Sequence, residues 1–91
     1  MGKAIITIRI MPSSPDEDRA TLQTEAGKLI ALAKGEVGRI EEEPIAFGLV
    51  ALKFLFVWDE ALGGTEPLEE KLRALPGVAS AEVTDCRRAL G

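Results

Sequence analysis

The sequence predicts a two-layer α+β sandwich, in which two helices pack on one face of a four-stranded antiparallel sheet. Strand-like and helix-like segments follow one another in the order β-α-β-β-α-β. The first and third strands are the most apolar, as the two central strands of such a sheet should be. A chain of 91 residues is long enough for one such core and is expected to form a single domain over 1–91. This arrangement is the ferredoxin-like fold.

The first half begins with a strand and a helix. Residues 3–11 are rich in β-branched side chains and alternate, so one face of this strand should be apolar. Ser14, Pro15 and Glu17 have the spacing of a capping box, which predicts that the first helix begins there. Apolar residues recur on one helical face until the helix ends near 34–35. Gly27 lies inside this helix, where it would let the helix approach the sheet closely.

The middle of the chain supplies two strands. Residues 37–43 are polar and are flanked by Gly38 and Pro44, which is typical of a strand at a sheet edge. Residues 48–58 are apolar on both faces, which predicts a central strand that is covered on both sides. Its alternating aromatic residues are expected to face the core: Phe54, Phe56 and Trp58.

The last third supplies a helix and a strand. Gly63 and Gly64 should form a turn that needs positive φ, after which Thr65 can cap the second helix. The buried stripe of this helix is expected to be Leu68, Leu72 and Leu75. Residues 78–86 read as the final strand.

Composition limits the chemistry. The net charge is −4, from 11 basic and 15 acidic side chains, which argues against binding to nucleic acid or to an anionic membrane. The chain has no histidine and one cysteine, so histidine general-base catalysis is impossible and a zinc site is poorly supported. We expect no catalytic residue, metal or other cofactor. No secretory signal and no apolar run of about 20 residues is seen, which predicts a cytoplasmic location.

The stretch from Glu41 to Lys53 is the most distinctive part of the sequence. Pro44 and Gly48 interrupt the backbone twice within a few residues, so Phe47 is expected at a bend between two strands. An aromatic ring at such a bend either fills the core or is offered to a partner. The adjacent glutamates, residues 41–43, either prevent an exposed edge from pairing or steer the protein toward a basic partner surface.

Three segments resemble the archaeal translation elongation factor 1 beta family, in order and over essentially the whole chain. They are residues 42–53, which contain Pro-Ile-Ala-Phe-Gly-Leu and Ala-Leu-Lys, the Gly-Gly-Thr at 63–65, and residues 83–88. The resemblance implies the ferredoxin-like fold and guanine nucleotide exchange on elongation factor 1 alpha, the GTPase that delivers aminoacyl-tRNA to the ribosome. The factor would meet this GTPase in its GDP-bound and nucleotide-free forms, without covalent chemistry.

The same resemblance implies which residues bind the partner. Phe47 corresponds to the aromatic residue that packs against the GTPase near its switch region. Eukaryotic members have a lysine near the carboxyl end that reaches toward the Mg²⁺ site of the GTPase, whereas this chain has no lysine after Lys71 and carries Arg87 and Arg88 instead. Without the resemblance, these arginines would be interpreted as part of a disordered or solubilising tail. The residues expected to bind the partner are Pro44, Ile45, Phe47, Gly48, Lys53, Arg87 and Arg88.

Other functions found on this fold make different demands on these residues. An acylphosphatase needs an asparagine in that family, and this chain contains none. An RNA-recognition module places exposed aromatic and basic residues on its central strands, where this sequence offers only Thr7, Arg9 and Lys53. A small-molecule-binding regulatory module that dimerises through its sheet stays open as the alternative.

Overall fold

The computed structural model describes residues 2–89. The elements are β1 (Lys3–Pro12), α1 (Arg19–Leu32), β2 (Glu36–Pro44), β3 (Val50–Asp59), a 3₁₀ turn (Glu60–Leu62), α2 (Glu66–Arg73) and β4 (Val78–Ala89). The strands form one antiparallel sheet in the order β2-β3-β1-β4. Both helices pack on one face of it, which confirms the predicted ferredoxin-like fold. Neither helix of this part of the chain is long and apolar enough to cross a membrane.

The core lies between the helices and one face of the sheet. On that face Ile8 of β1 stands opposite Phe54 of β3, and both side chains are fully buried. Burying a large apolar side chain stabilises the folded state by about 1.5–3 kcal/mol, so this pair anchors the two central strands to each other and to the helices. The three aromatic residues predicted for the core are confirmed: Phe54, Phe56 and Trp58.

The other face of the sheet, the open face, carries no helix within residues 2–89. Leu55 and Val57 of β3 are half-buried there and Ile5 of β1 is exposed. The prediction that β3 is covered on both sides is therefore wrong. In a two-layer fold only neighbouring side chains shield the second face, so an apolar run does not by itself indicate burial on both sides.

Helix α1 begins later than predicted. Ser14 lies in a turn, where its Oγ accepts a hydrogen bond from the N–H of Asp16 at 3.3 Å. The residue that caps α1 is Asp18, whose Oδ1 accepts from the N–H groups of Ala20 (3.0 Å) and Thr21 (3.4 Å). Serine and aspartate both satisfy such local donors, and a carboxylate forms the stronger, charge-assisted bond. The Ser14 capping signal marks the turn that leads into α1.

Strand β4 extends beyond the predicted end at residue 86. Arg87 stands opposite Ile5 and Arg88 opposite Ala4, so both arginines belong to the sheet. The interpretation of these arginines as a disordered tail is therefore wrong. Helix α2 follows Thr65 as predicted, but the Thr65 hydroxyl donates to the Glu69 carboxylate at 3.0 Å and makes no capping hydrogen bond.

The two glycines around α1 differ in their surroundings. Apart from its chain neighbours and the backbone of α1 itself, a Cβ at Gly27 would have no heavy atom within 4 Å, so the expectation that Gly27 lets α1 approach the sheet is wrong. A Cβ at Gly35 would lie 2.8 Å from Cγ2 of Ile30 and 3.0 Å from Cδ2 of Phe56. The close approach to the sheet therefore occurs at Gly35, just after the helix.

Gly27→Ala should raise the free energy of unfolding by about 0.5–1 kcal/mol, because alanine favours a helix and the site has room for the methyl group. Gly35→Ala, the matched substitution, should lower it by about 1–3 kcal/mol through overpacking against Phe56. Urea unfolding of both variants checks this pair. Equal effects at the two positions would contradict it.

The cap of α1 predicts a pH dependence. The Thr21 hydroxyl, followed by the Thr21 and Ala20 N–H groups, lowers the pKa of Asp18 from its usual value. A lowered folded-state pKa stabilises the fold fully above the unfolded-state value of about 3.9, and this contribution is lost as the pH falls through the folded-state pKa.

Asp18→Asn keeps a capping side chain that does not titrate. The wild type should therefore lose stability relative to this variant below about pH 4. Urea unfolding from about pH 7 to 2.5 would contradict this if the difference between the two proteins stayed constant.

Candidate functional site

The connection between β2 and β3 is a tight hairpin, whose residues 44–49 we call the tip. Phe47 has φ 55° and Gly48 has φ 78°, and two consecutive positive φ values are typical of the type I′ turns that join antiparallel strands. The N–H of Ile45 donates to the C=O of Leu49, and the N–H of Leu49 to the C=O of Ala46, each at 2.9 Å. The predicted bend is confirmed, and the backbone that carries Phe47 is hydrogen-bonded.

Phe47 points into solvent and is 95% exposed, so the interpretation of this ring as part of the core is wrong. A left-handed backbone costs a non-glycine residue about 1–2 kcal/mol, and an exposed ring regains none of this by burial. Ile45, 43% exposed, adds a second apolar side chain to the tip. Phe47 therefore combines an unfavourable backbone conformation with an exposed apolar ring.

The tip lies against the loop between β1 and α1. A Cβ at Gly48 would be 3.5 Å from Cβ of Pro15, which is ordinary van der Waals contact. On the helix side of the sheet, Nε of Arg19 at the start of α1 lies 3.1 Å from Oε2 of Glu42. The end of β2 that carries the tip is thus tied to α1 as well as to β3.

On the open face, a charged network lies at the base of the tip. Nη1 of Arg9 is 3.5 Å from Oε1 of Glu43, and Nζ of Lys53 is 3.7 Å from Oε2 of the same carboxylate. Nη2 of Arg9 also reaches Oε1 of Glu82 on β4 at 3.7 Å. The network therefore crosses all four strands, and Lys53 takes part in it by pairing with Glu43.

The three adjacent glutamates each have a cationic partner. Glu41 pairs with Arg39 at 3.3 Å, whereas Glu42 and Glu43 pair across elements as described above. Because each carboxylate is close to a cation, the local field is smaller than the sequence suggests. The structure favours the interpretation of this segment as a charged sheet edge over a role in steering.

Arg87 and Arg88 lie at the other end of the sheet and on opposite faces. Arg87 is on the open face, where its Nε is 3.0 Å from Oδ2 of Asp85. Arg88 is on the helix side, where its Nη2 is 3.1 Å from Oε2 of Glu60 and it lines a cavity of about 560 Å³ beside Trp58. A strand rises about 3.3 Å per residue, which separates these arginines from the tip by roughly 25–30 Å.

The predicted partner-binding residues therefore occupy three places. Pro44, Ile45, Phe47 and Gly48 are together at the tip. Lys53 is at its base on the open face, and the two arginines are at the far end. Sequence reasoning missed the pairing of Arg9 and Arg19 with the base of the tip, since these partners are 34 and 23 residues apart in the chain. Only the register of β2 and β3, which sets Glu41 opposite Lys53, could have indicated a charged contact there.

Comparison with known proteins gives a consistent result. Residues 5–89 match the sequence model of the EF-1 guanine nucleotide exchange domain. The chain is 49% identical over 88 residues to elongation factor 1-beta of Methanobrevibacter smithii, covering 97% of this chain and 98% of the relative. The protein of the same name from Methanothermobacter thermautotrophicus gives the same values. Elongation factor 1-beta of Methanococcus maripaludis is 33% identical over 85 residues, 93% of this chain and 96% of the relative. Since this match covers residues 5–89, nearly the whole chain, the chain belongs to the EF-1 guanine nucleotide exchange domain family.

Proposed function

We propose that this protein is a guanine nucleotide exchange factor that acts in the cytoplasm on elongation factor 1 alpha, promoting release of GDP and rebinding of GTP, and that Phe47 is its main contact. Family membership supports the activity and the partner. The observation that carries the assignment of the site is the 95% exposure of Phe47 on a hydrogen-bonded turn.

The activity needs no covalent step. Such a GTPase holds its nucleotide through phosphate contacts and an Mg²⁺ ion that requires nearly octahedral oxygen ligands, so a small displacement of one ligand or loop weakens nucleotide binding. A factor that binds the nucleotide-free state best lowers the affinity for GDP, and by linkage the nucleotide lowers the affinity for the factor by the same ratio. GTP then binds because it is in excess.

The tip suits this role because it is ordered before the partner arrives. Large aromatic residues often contribute most of the binding energy of an interface. Binding costs less when the contact residue is already held in its bound conformation, and the two backbone hydrogen bonds of the tip provide such order. The binding energy of Phe47 is then available to distort the GTPase.

The far arginines extend the proposed interface. Their separation from the tip means that one pocket cannot receive both the tip and an arginine, so the GTPase would contact the factor along the length of the sheet. Arg87 and Arg88 offer planar, permanently charged guanidinium groups to acidic or phosphate oxygens. Because Arg87 and Arg88 lie on opposite faces of the sheet, a single surface of the GTPase would contact one of them more closely than the other.

Phe47→Ala should slow the factor-dependent release of labelled GDP from elongation factor 1 alpha at least about tenfold, because it removes the proposed anchor. Catalytic amounts of wild type should accelerate this release. Leu32→Ala is the matched control, since Leu32 is also exposed (78%) but lies at the end of α1. It should leave the release rate unchanged.

The same variants are unfolded in urea to separate binding from folding. Phe47→Ala should change the free energy of unfolding by less than about 0.5 kcal/mol, as is usual for an exposed side chain. No acceleration by the wild type would refute the proposed function. Normal release with Phe47→Ala would instead remove Phe47 from the proposed site.

Replacing both far arginines, Arg87→Ala and Arg88→Ala together, should also slow GDP release, and the single variants identify which face is used. We expect the larger loss from the arginine that faces the GTPase and a near-normal rate from the other. The measurement is the initial rate of release over a series of factor concentrations. Undiminished release with the double variant would exclude the terminal cations from the interface.

A further inference from the structure

Strand β2, which carries the tip, contributes little to the core. It is an edge strand of nine residues, all within the described part of the chain, and each of them is exposed or half-buried. Core packing therefore cannot fix its orientation. What remains is the backbone pairing with β3 and the side-chain contacts of β2 with other elements.

Two of these contacts hold β2 from opposite faces next to the tip. Glu42 and Glu43 immediately precede Pro44, and their side chains alternate across the sheet. Glu42 pairs with Arg19 of α1 on the helix side. Glu43 pairs with Arg9 and Lys53 on the open face. A rotation of the tip toward either face would lengthen one of these ion pairs.

Arg9 connects the open-face contact of β2 to a second strand, β4. Its Nε is buried and has no hydrogen-bond partner within residues 2–89. The Arg9 side chain is 35% exposed, and its two terminal nitrogens each reach a carboxylate, Glu43 on one side and Glu82 on the other. Arg9 thereby ties the base of the tip to the middle of the sheet.

We propose that Glu42 and Glu43 are positioning residues that hold the Phe47 tip in the orientation the GTPase requires, acting through Arg19 and through Arg9 with Lys53. The proposal rests on the proposed function. Ion pairs at a surface contribute little to global stability, so the effect should appear in the order of the tip and in exchange activity.

Glu41 provides a matched control. Its ion pair in the described part of the chain is with Arg39, two residues away on β2 itself, so it does not tie β2 to another element. Glu41→Gln, Glu42→Gln and Glu43→Gln each remove one charge with almost no change of shape.

The first experiment measures labelled GDP release against factor concentration. Glu42→Gln and Glu43→Gln should raise the half-saturating concentration by about two- to fivefold, whereas Glu41→Gln should stay within about 1.5-fold. The exchanged pair Arg19→Glu with Glu42→Arg should recover most of the loss seen with Arg19→Glu alone. Equal losses for all three glutamine variants would indicate steering by charge and would overturn the proposal.

The second experiment needs no GTPase. Amide hydrogen exchange of the free protein reports on the bonded N–H groups of Ile45 and Leu49. Exchange should be faster in Glu42→Gln and Glu43→Gln but unchanged in Glu41→Gln. Added salt should speed exchange in the wild type more than in a variant that carries both Glu42→Gln and Glu43→Gln. Unchanged protection of these two N–H groups in both Glu42→Gln and Glu43→Gln would refute the proposal that the two glutamates hold the tip. If the wild type fails to release GDP, the proposed function fails and this measurement alone still decides whether the glutamates hold the tip.

Discussion

The register between β1 and β3 is the constraint on which the rest of the structure depends. It places the fully buried Ile8 opposite Phe54 and sends the alternate residues, Arg9 and Lys53, to the open face. A slip by one residue would exchange the two faces, exposing the core and burying two cations. The same register therefore specifies the hydrophobic core and the charged network at the base of the tip.

Much of the fold could be predicted because its determinants are local. The apolar character of β1 and β3 and the polar composition of β2 indicated which strands are central and which lies at the edge. The start of α1 was predicted wrongly because Ser14 and Asp18 both satisfy local donors, and the sequence does not show which of them adjoins the helix. The extension of β4 depends on pairing with distant Ile5 and Ala4, which no local pattern reports.

In the candidate site, too, local features could be predicted and contacts between distant residues could not. Pro44 and Gly48 predicted the bend from backbone preferences alone, but the exposure of Phe47 is a tertiary property that left two interpretations open until the structure was known. The family resemblance indicated which of the two to expect. The contacts of Glu42 and Glu43 join elements far apart in the chain, so their distinction from Glu41 could not be read from three identical neighbouring residues.

The backbone of Phe47 has a consequence for how this protein would respond to selection. Glycine or asparagine suits φ near 55° better than phenylalanine does, so a search for thermostability alone would replace this residue early. The variants that survived heating best would then lack the ring. Thermostability and activity therefore favour different residues at position 47, and an engineering programme should hold it constant and seek stability elsewhere, beginning with the open site at Gly27.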